Sequence, residues 1–135
     1  MRGLDTNILV RYFTEDDPRQ SQKVAEMLEE TRQSGGRLHV TPVVLCETLW
    51  ALRGKPYLLK RESLTVVVET LVRDELFVIQ DLDLVQKALE DYRQGKADFA
   101  DYLLGWQNWK AGCRDTLTFD DDLGKHQNFS ALLSS

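Results

Sequence analysis

The acidic residues of this 135-residue chain fall at a few points where chemistry is plausible. Asp5 closes a short N-terminal strand and is followed by Thr6 and Asn7, two hydrogen-bonding residues at the entrance to a helix. Asp120 closes the strand Thr116–Phe119, with Asp121 and Asp122 behind it. Glu47 shares a helical face with Val43, Trp50 and Ala51 in the segment Pro42–Leu52. A carboxylate in an apolar stripe needs a cation, a hydrogen-bond network or a raised pKa, because burying an unpaired charge is expensive. Asp98 and Asp101, three residues apart, share the first turn of a helix.

Each of these has a purely structural reading. An Asp after a strand is a common cap or turn residue. Glu47 can pair with Arg11 or Arg53. Asp98 and Asp101 can satisfy free amides and the helix dipole, and their spacing does not say which of them faces a cleft. Taken together, however, four separate regions place acids at the carboxyl edge of a parallel sheet, where ligands of α/β folds bind. Asp5, Glu47, Asp101 and Asp120 are expected to converge in one acidic cleft there. Carboxylates without His or Cys form a hard oxygen donor set that suits Mg²⁺ or Mn²⁺ and not Zn²⁺. Such ions serve phosphoryl chemistry, and repulsion among the acids disfavours the empty site.

The elements that must position these residues alternate along the chain. Strands are expected at Arg2–Asp5, Leu38–Val40, Leu76–Ile79 and Thr116–Phe119, and the apolar stretch Ile8–Phe13 reads as a buried strand feeding a helix. Helices are expected over Ser21–Arg32, with Val24, Ala25 and Leu28 as its stripe, then Pro42–Leu52, Glu62–Arg73, Asp83–Tyr92 and Asp98–Lys110. Thr41 caps the second of these, Pro42 opens it, and Gly112 stops the last. The tail His126–Ser135 carries little pattern. Short apolar strands without period-2 alternation suit a sheet covered on both faces. The expected architecture is a three-layer α/β/α sandwich with a mainly parallel sheet, formed by a single domain over residues 1–135.

Composition narrows the class. With 17 Lys+Arg against 22 Asp+Glu the net charge is −5, and 42% of residues are hydrophobic, which fits a soluble domain with one core. Cys46 and Cys113 stand far apart with no C-x-x-C spacing, so a reduced, cytoplasmic setting is expected. No apolar run approaches the roughly 20 residues of a membrane span. Net acidity argues against a broad basic nucleic-acid surface, but not against a nuclease that meets phosphate through metal ions. Trp50, Trp106 and Trp109 are expected in a core or interface, and His39 and His126 have no ligand spacing. Glu15–Asp17 reads as a solvated turn, and Arg11, Arg53 and Lys55 as surface cations.

Leu4-Asp5-Thr6-Asn7, Glu47, Asp98-Phe99-Ala100-Asp101 and Thr118-Phe119-Asp120-Asp121-Asp122-Leu123, in that order, resemble the PIN-domain ribonucleases and in particular the VapC-type toxins of bacterial toxin–antitoxin pairs. The resemblance spans nearly the whole chain. It implies that the family's four acids fall on Asp5, Glu47, Asp101 and Asp120, and its polar helpers on Thr6, Asn7 and Thr118, with Asp98 and Asp122 auxiliary. The choice of Asp101 over Asp98 rests on it. It further implies a Mg²⁺- or Mn²⁺-dependent single-strand endoribonuclease whose RNA substrate is a tRNA or rRNA, a cognate antitoxin and a homodimer. A basic partner segment whose Arg or Lys pairs with Asp5, Glu47 and Asp101 would displace the metal. Gly105, Trp106, Asn108 and Trp109 depart from the small apolar residues usual after the third acid. Two competing readings are a receiver-like Mg²⁺-binding signalling module, which would need a Lys after a strand that this chain lacks, and a PIN-like domain that only binds its partner.

Overall fold

A computed structural model describes residues 1–133, which fold as two compact units, one of Met1–Leu82 and one that begins at Asp83. The first unit contains β1 (Arg2–Gly3), α1 (Thr6–Phe13), α2 (Pro18–Gln33), β2 (Leu38–Val40), α3 (Pro42–Arg53), α4 (Arg61–Arg73) and β3 (Phe77–Ile79). Its strands form a parallel sheet in the order β1-β2-β3, with Gly3 opposite His39 and Val40 opposite Ile79. Leu38 and Val40 on the central strand are buried, and Leu9, Leu45, Leu52, Val68 and Leu71 are likewise almost fully buried.

Local chemistry sets the helix starts. Thr41 is extended and its hydroxyl accepts the Val44 N–H at 3.2 Å, with Pro42 in the first turn, as expected of a cap followed by a residue that has no N–H to lose. The Asp17 carboxylate accepts the Gln20 N–H at 3.0 Å, so α2 begins at Pro18, ahead of the expected Ser21. Its buried positions are Val24 and Leu28, whereas Ala25 is exposed. The segment Ile8–Phe13 is helix and not strand. Asp5 caps it at 2.7 Å through the Thr6 N–H, and Leu9 and Val10 face the core while Arg11 stays partly exposed. A six-residue apolar run has no period of its own to separate the two conformations, and here the cap decides.

β2, the central strand of the first unit, runs directly into the cap Thr41. A receiver-like module would carry its phosphoacceptor Asp at that position, so this reading loses its key residue.

The second unit contains α5 (Leu82–Gln94), α6 (Phe99–Lys110), β4 (Thr116–Thr118), a 3₁₀ turn (Leu123–Lys125) and β5 (Phe129–Ala131). β4 and β5 pair in parallel, Thr116 opposite Phe129 and Thr118 opposite Ala131. β5 falls in the tail that lacked sequence pattern, whose last residues, 134–135, lie outside the described residues. Gly105 explains part of the departure in α6: a Cβ there would stand 2.6 Å from the Phe129 ring, so glycine lets β5 pack against the helix. Trp106 is buried, and its indole N–H donates to Asp91 at 2.7 Å. His126 reaches the same carboxylate at 3.3 Å. Trp109 and Trp50 are about half exposed, at 50% and 49%, so of the three tryptophans only Trp106 is a core residue. Among the described residues no helix is long and apolar enough to cross a membrane.

Two ion pairs fasten the first unit's surface. Arg11 bonds Asp16, Gln20 and Tyr57, so the Glu15–Asp17 turn is anchored, not merely solvated. Arg32 forms a bidentate pair with Asp74 at 2.6 and 3.1 Å, which holds the Asp74 carboxyl below the usual carboxylate range against the opposing effect of burial, with the Leu76 N–H and the Arg32 charge assisting. A carboxyl lowered in the folded state adds stability above its unfolded pKa and loses it as pH falls through the folded one. The melting-temperature gap between the parent and Asp74→Asn is therefore expected to close as pH drops below about 4. A gap that stays constant down to about pH 2 would contradict this role for the pair.

Candidate active site

In the first unit the candidate residues meet where β1 and β2 give way to helices. Asp5 has φ −87° and ψ 160°, and its Oδ1 accepts the Thr6 N–H at 2.7 Å. The Thr6 hydroxyl donates to Glu47 Oε1 at 3.2 Å, linking residues 41 apart in sequence. α3 buries Leu45, Cys46, Thr48, Leu49 and Leu52, and turns Glu47 outward with Val43 and Trp50, which are 66% and 49% exposed. The apolar face that Glu47 shares is therefore real but faces solvent. No cation is needed to bury its charge, and the structure pairs it with neither Arg11 nor Arg53: its hydrogen bond comes from Thr6. Asn7 is exposed one residue further along α1.

In the second unit Asp98 is the extended N-cap of α6, at φ −66° and ψ 150°, and it faces Asp101 across a capping box. Asp101 Oδ2 accepts the Asp98 N–H at 3.3 Å. Burial pushes the Asp101 carboxyl above the usual carboxylate range. The Asp98 N–H opposes that rise, and the negative charges of Asp98 and Asp120 add to it. Asp98, Asp101 and Asp120 thus lie close enough to feel one another. Asp120 is exposed at the end of β4. Its Oδ1 accepts the Leu123 N–H at 3.0 Å, and its N–H donates to the Thr118 hydroxyl at 3.1 Å. Asp122 is exposed, and its backbone carbonyl closes the 3₁₀ turn.

One feature is common to the four principal acids. Asp5, Glu47, Asp101 and Asp120 each have one carboxylate oxygen fixed by an N–H or O–H of the chain, while the second takes no hydrogen bond among the described residues. Carboxylates held by one oxygen are oriented and still able to ligate. The free donors are all hard oxygens, the type Mg²⁺ and Mn²⁺ prefer. Of the softer ligand types, His126 is engaged with Asp91 and Cys46 is buried in α3. Among the described residues no three His, Cys, Asp or Glu side chains form a group that could hold a metal by themselves.

Sequence reasoning missed two groups of residues. The Asp91, Trp106 and His126 network depends on pairings that no local spacing reveals. Arg19 and Lys23, four apart on the exposed side of α2, line a cavity that Asn7 also lines. Their i, i+4 spacing off the Val24/Leu28 stripe was the available signal.

Comparison with known proteins places these residues in context. The chain is 28% identical over 119 residues to a VapC ribonuclease of Aquifex aeolicus (strain VF5), covering 88% of this chain and 87% of that protein. The PIN domain family profile matches residues 4–127, a span that takes in both units and all four acids, so the α/β chain with its parallel strands belongs to the PIN-domain family.

Proposed function

We propose that this protein is a Mg²⁺- or Mn²⁺-dependent single-strand endoribonuclease, the toxin of a toxin–antitoxin pair, and that Asp5, Glu47, Asp101 and Asp120 are its metal ligands. The observation that carries the reading is the half-bonded state of all four carboxylates, one oxygen fixed and one left for a ligand. The similarity to a protein named as a VapC ribonuclease supplies the substrate class. When bound, a divalent ion supplies Lewis acidity toward a phosphodiester and lowers the pKa of attacking water.

The chain's own part is orientation. Asp5 spends one oxygen on its helix cap and presents the other. Thr6 holds Glu47 by its hydroxyl, so a single residue sets the position of two acids. The Asp98 N–H steers Asp101, and the Thr118 hydroxyl fixes the turn that displays Asp120. Asn7, exposed beside Thr6, is placed to hydrogen-bond the substrate or water, and Asp98 and Asp122 add negative potential. Residues 1–135 act as one catalytic domain, a homodimer in the cytoplasm. A cognate antitoxin restrains it by presenting an Arg or Lys to the same carboxylates, a charge-assisted pairing that competes with the cation.

The test is direct. Purified protein with end-labelled tRNA, rRNA fragments and unstructured RNA in Mg²⁺ or Mn²⁺ should yield internal cuts that stop with a chelator and resume with excess metal. Cleavage indifferent to chelation, or no cleavage of any RNA in either ion, would overturn the reading.

A further inference from the structure

A cavity of ≈590 Å³ lies between α1 and α2 in the first unit, with Arg11, Arg19 and Lys23 on its wall against a single carboxylate, Asp17. That carboxylate accepts the Gln20 N–H as the cap of α2, which offsets part of its charge locally. The guanidinium of Arg11 is fixed by Gln20, Asp16 and Tyr57 at 2.7 to 3.0 Å. Arg19 carries no hydrogen bond or ion pair among the described residues, and Lys23 has only a 3.9 Å contact with exposed Glu26. Arg19 and Lys23 stand one turn apart on α2 and are both exposed. Asn7, two residues from Asp5 in sequence, also lines the cavity. In a chain of net charge −5, two uncommitted cations in a concave site beside the N-terminal acid are out of keeping with the rest of the molecule.

We infer that this cavity is a backbone subsite for the RNA strand: Arg19 and Lys23 contact phosphates adjacent to the one being cleaved, and the inference rests on the ribonuclease reading above. Carboxylates alone repel a polyanion, and two cations next to them offer a local attraction that the net charge does not. Ile8 and Val24 form an apolar floor on which a sugar or base edge can rest without a sequence-specific contact. The subsite positions the strand and takes no part in bond cleavage.

The experiment compares parent protein, Arg19→Ala/Lys23→Ala, the charge-retaining Arg19→Lys/Lys23→Arg and a control, Lys60→Ala/Arg73→Ala, which removes two exposed cations outside the cavity. Cleavage of a fluorescent single-stranded RNA is followed in Mg²⁺ over a range of NaCl. The alanine pair should raise KM about 10-fold near 0.1 M salt and leave kcat within about twofold, since phosphate contacts bind ground and transition states alike. The salt dependence of log kcat/KM should become shallower by about 1.4, for two lost contacts at about 0.7 each on a single strand. The charge-retaining pair and the control should behave as the parent.

Unchanged KM and salt slope in the alanine pair would overturn the subsite and leave the ribonuclease reading standing. A charge-retaining pair as weak as the alanine pair would overturn it too, because packing and not charge would then matter. Normal RNA kinetics with weakened inhibition by an antitoxin peptide would reassign the cavity to protein docking. A parent that cuts no RNA removes the ribonuclease reading and this inference with it.

Discussion

Asp101→Asn is expected to lower RNA cleavage by at least about 10³-fold, equivalent to about 4 kcal/mol of transition-state stabilisation, while Asp98→Asn stays within a few-fold of the parent. Both residues sit on the first turn of α6, so the contrast separates ligation from capping. Asp98 is the extended N-cap, a position that Asn fills almost as well as Asp. Asp101 is the half-buried acid whose charge is disfavoured first by burial and further by Asp98 and Asp120. An amide there can still accept the Asp98 N–H while removing the ligand charge. The fold should therefore survive, with a melting temperature equal to or above the parent's in the absence of metal. Steady-state cleavage and thermal melts of the two variants decide the matter, and a reversed pattern would assign the ligand to Asp98.

Asp5→Asn should cause a loss of similar size, at least about 10³-fold. The Asp5 side chain caps α1 through the Thr6 N–H, and Asn retains that bond, so helix stability should change by only a few tenths of a kcal/mol. Cleavage would then be lost without unfolding. The Thr6 to Glu47 bond should persist as well, because it does not depend on the Asp5 charge. Circular dichroism and melting of the variant check the first half of this expectation, and RNA cleavage at saturating Mg²⁺ checks the second. A variant that cuts the parent's substrate at the parent's rate would remove Asp5 from the ligand set.

Where local chemistry decides structure, the chain could be read directly. Thr41-Pro42 announced the start of α3, and Asp98 with Asp101 announced α6, because caps and proline act within one turn. Gly112, at φ +95°, ends α6 as its residue type suggested. The sequence is ambiguous where an apolar run has no period and silent where distant contacts decide. The apolar run Ile8–Phe13 carries no clear period, so strand and helix fit it alike, and the cap at Asp5 selects the helix. Glu47, Val43 and Trp50 do share a face, but that face points to solvent because Leu45, Leu49 and Leu52 claim the core side of α3. β5 was invisible because its stability comes from pairing with β4 and from the space Gly105 leaves for Phe129, and neither is encoded near residue 129. Asp16 is held by Arg11, five residues away across the turn, and by Tyr57, 41 residues away, and the second partner has no local signal.

The family was legible because motif residues keep their order whatever the packing does. The half-bonded state of each acid was not, since Thr6 and Glu47 are 41 residues apart and meet only in the fold.

The central claim, that these carboxylates bind a divalent cation, is tested most directly by measuring Mn²⁺ binding with electron paramagnetic resonance of the free ion, independently of any RNA. The parent protein should take up Mn²⁺ and release it to excess Mg²⁺, and Asp5→Asn and Asp101→Asn should each weaken uptake by at least about 10-fold, since each removes a charged hard-oxygen ligand. Uptake by both variants equal to the parent's, in folded protein, would contradict the assignment of the metal to these acids.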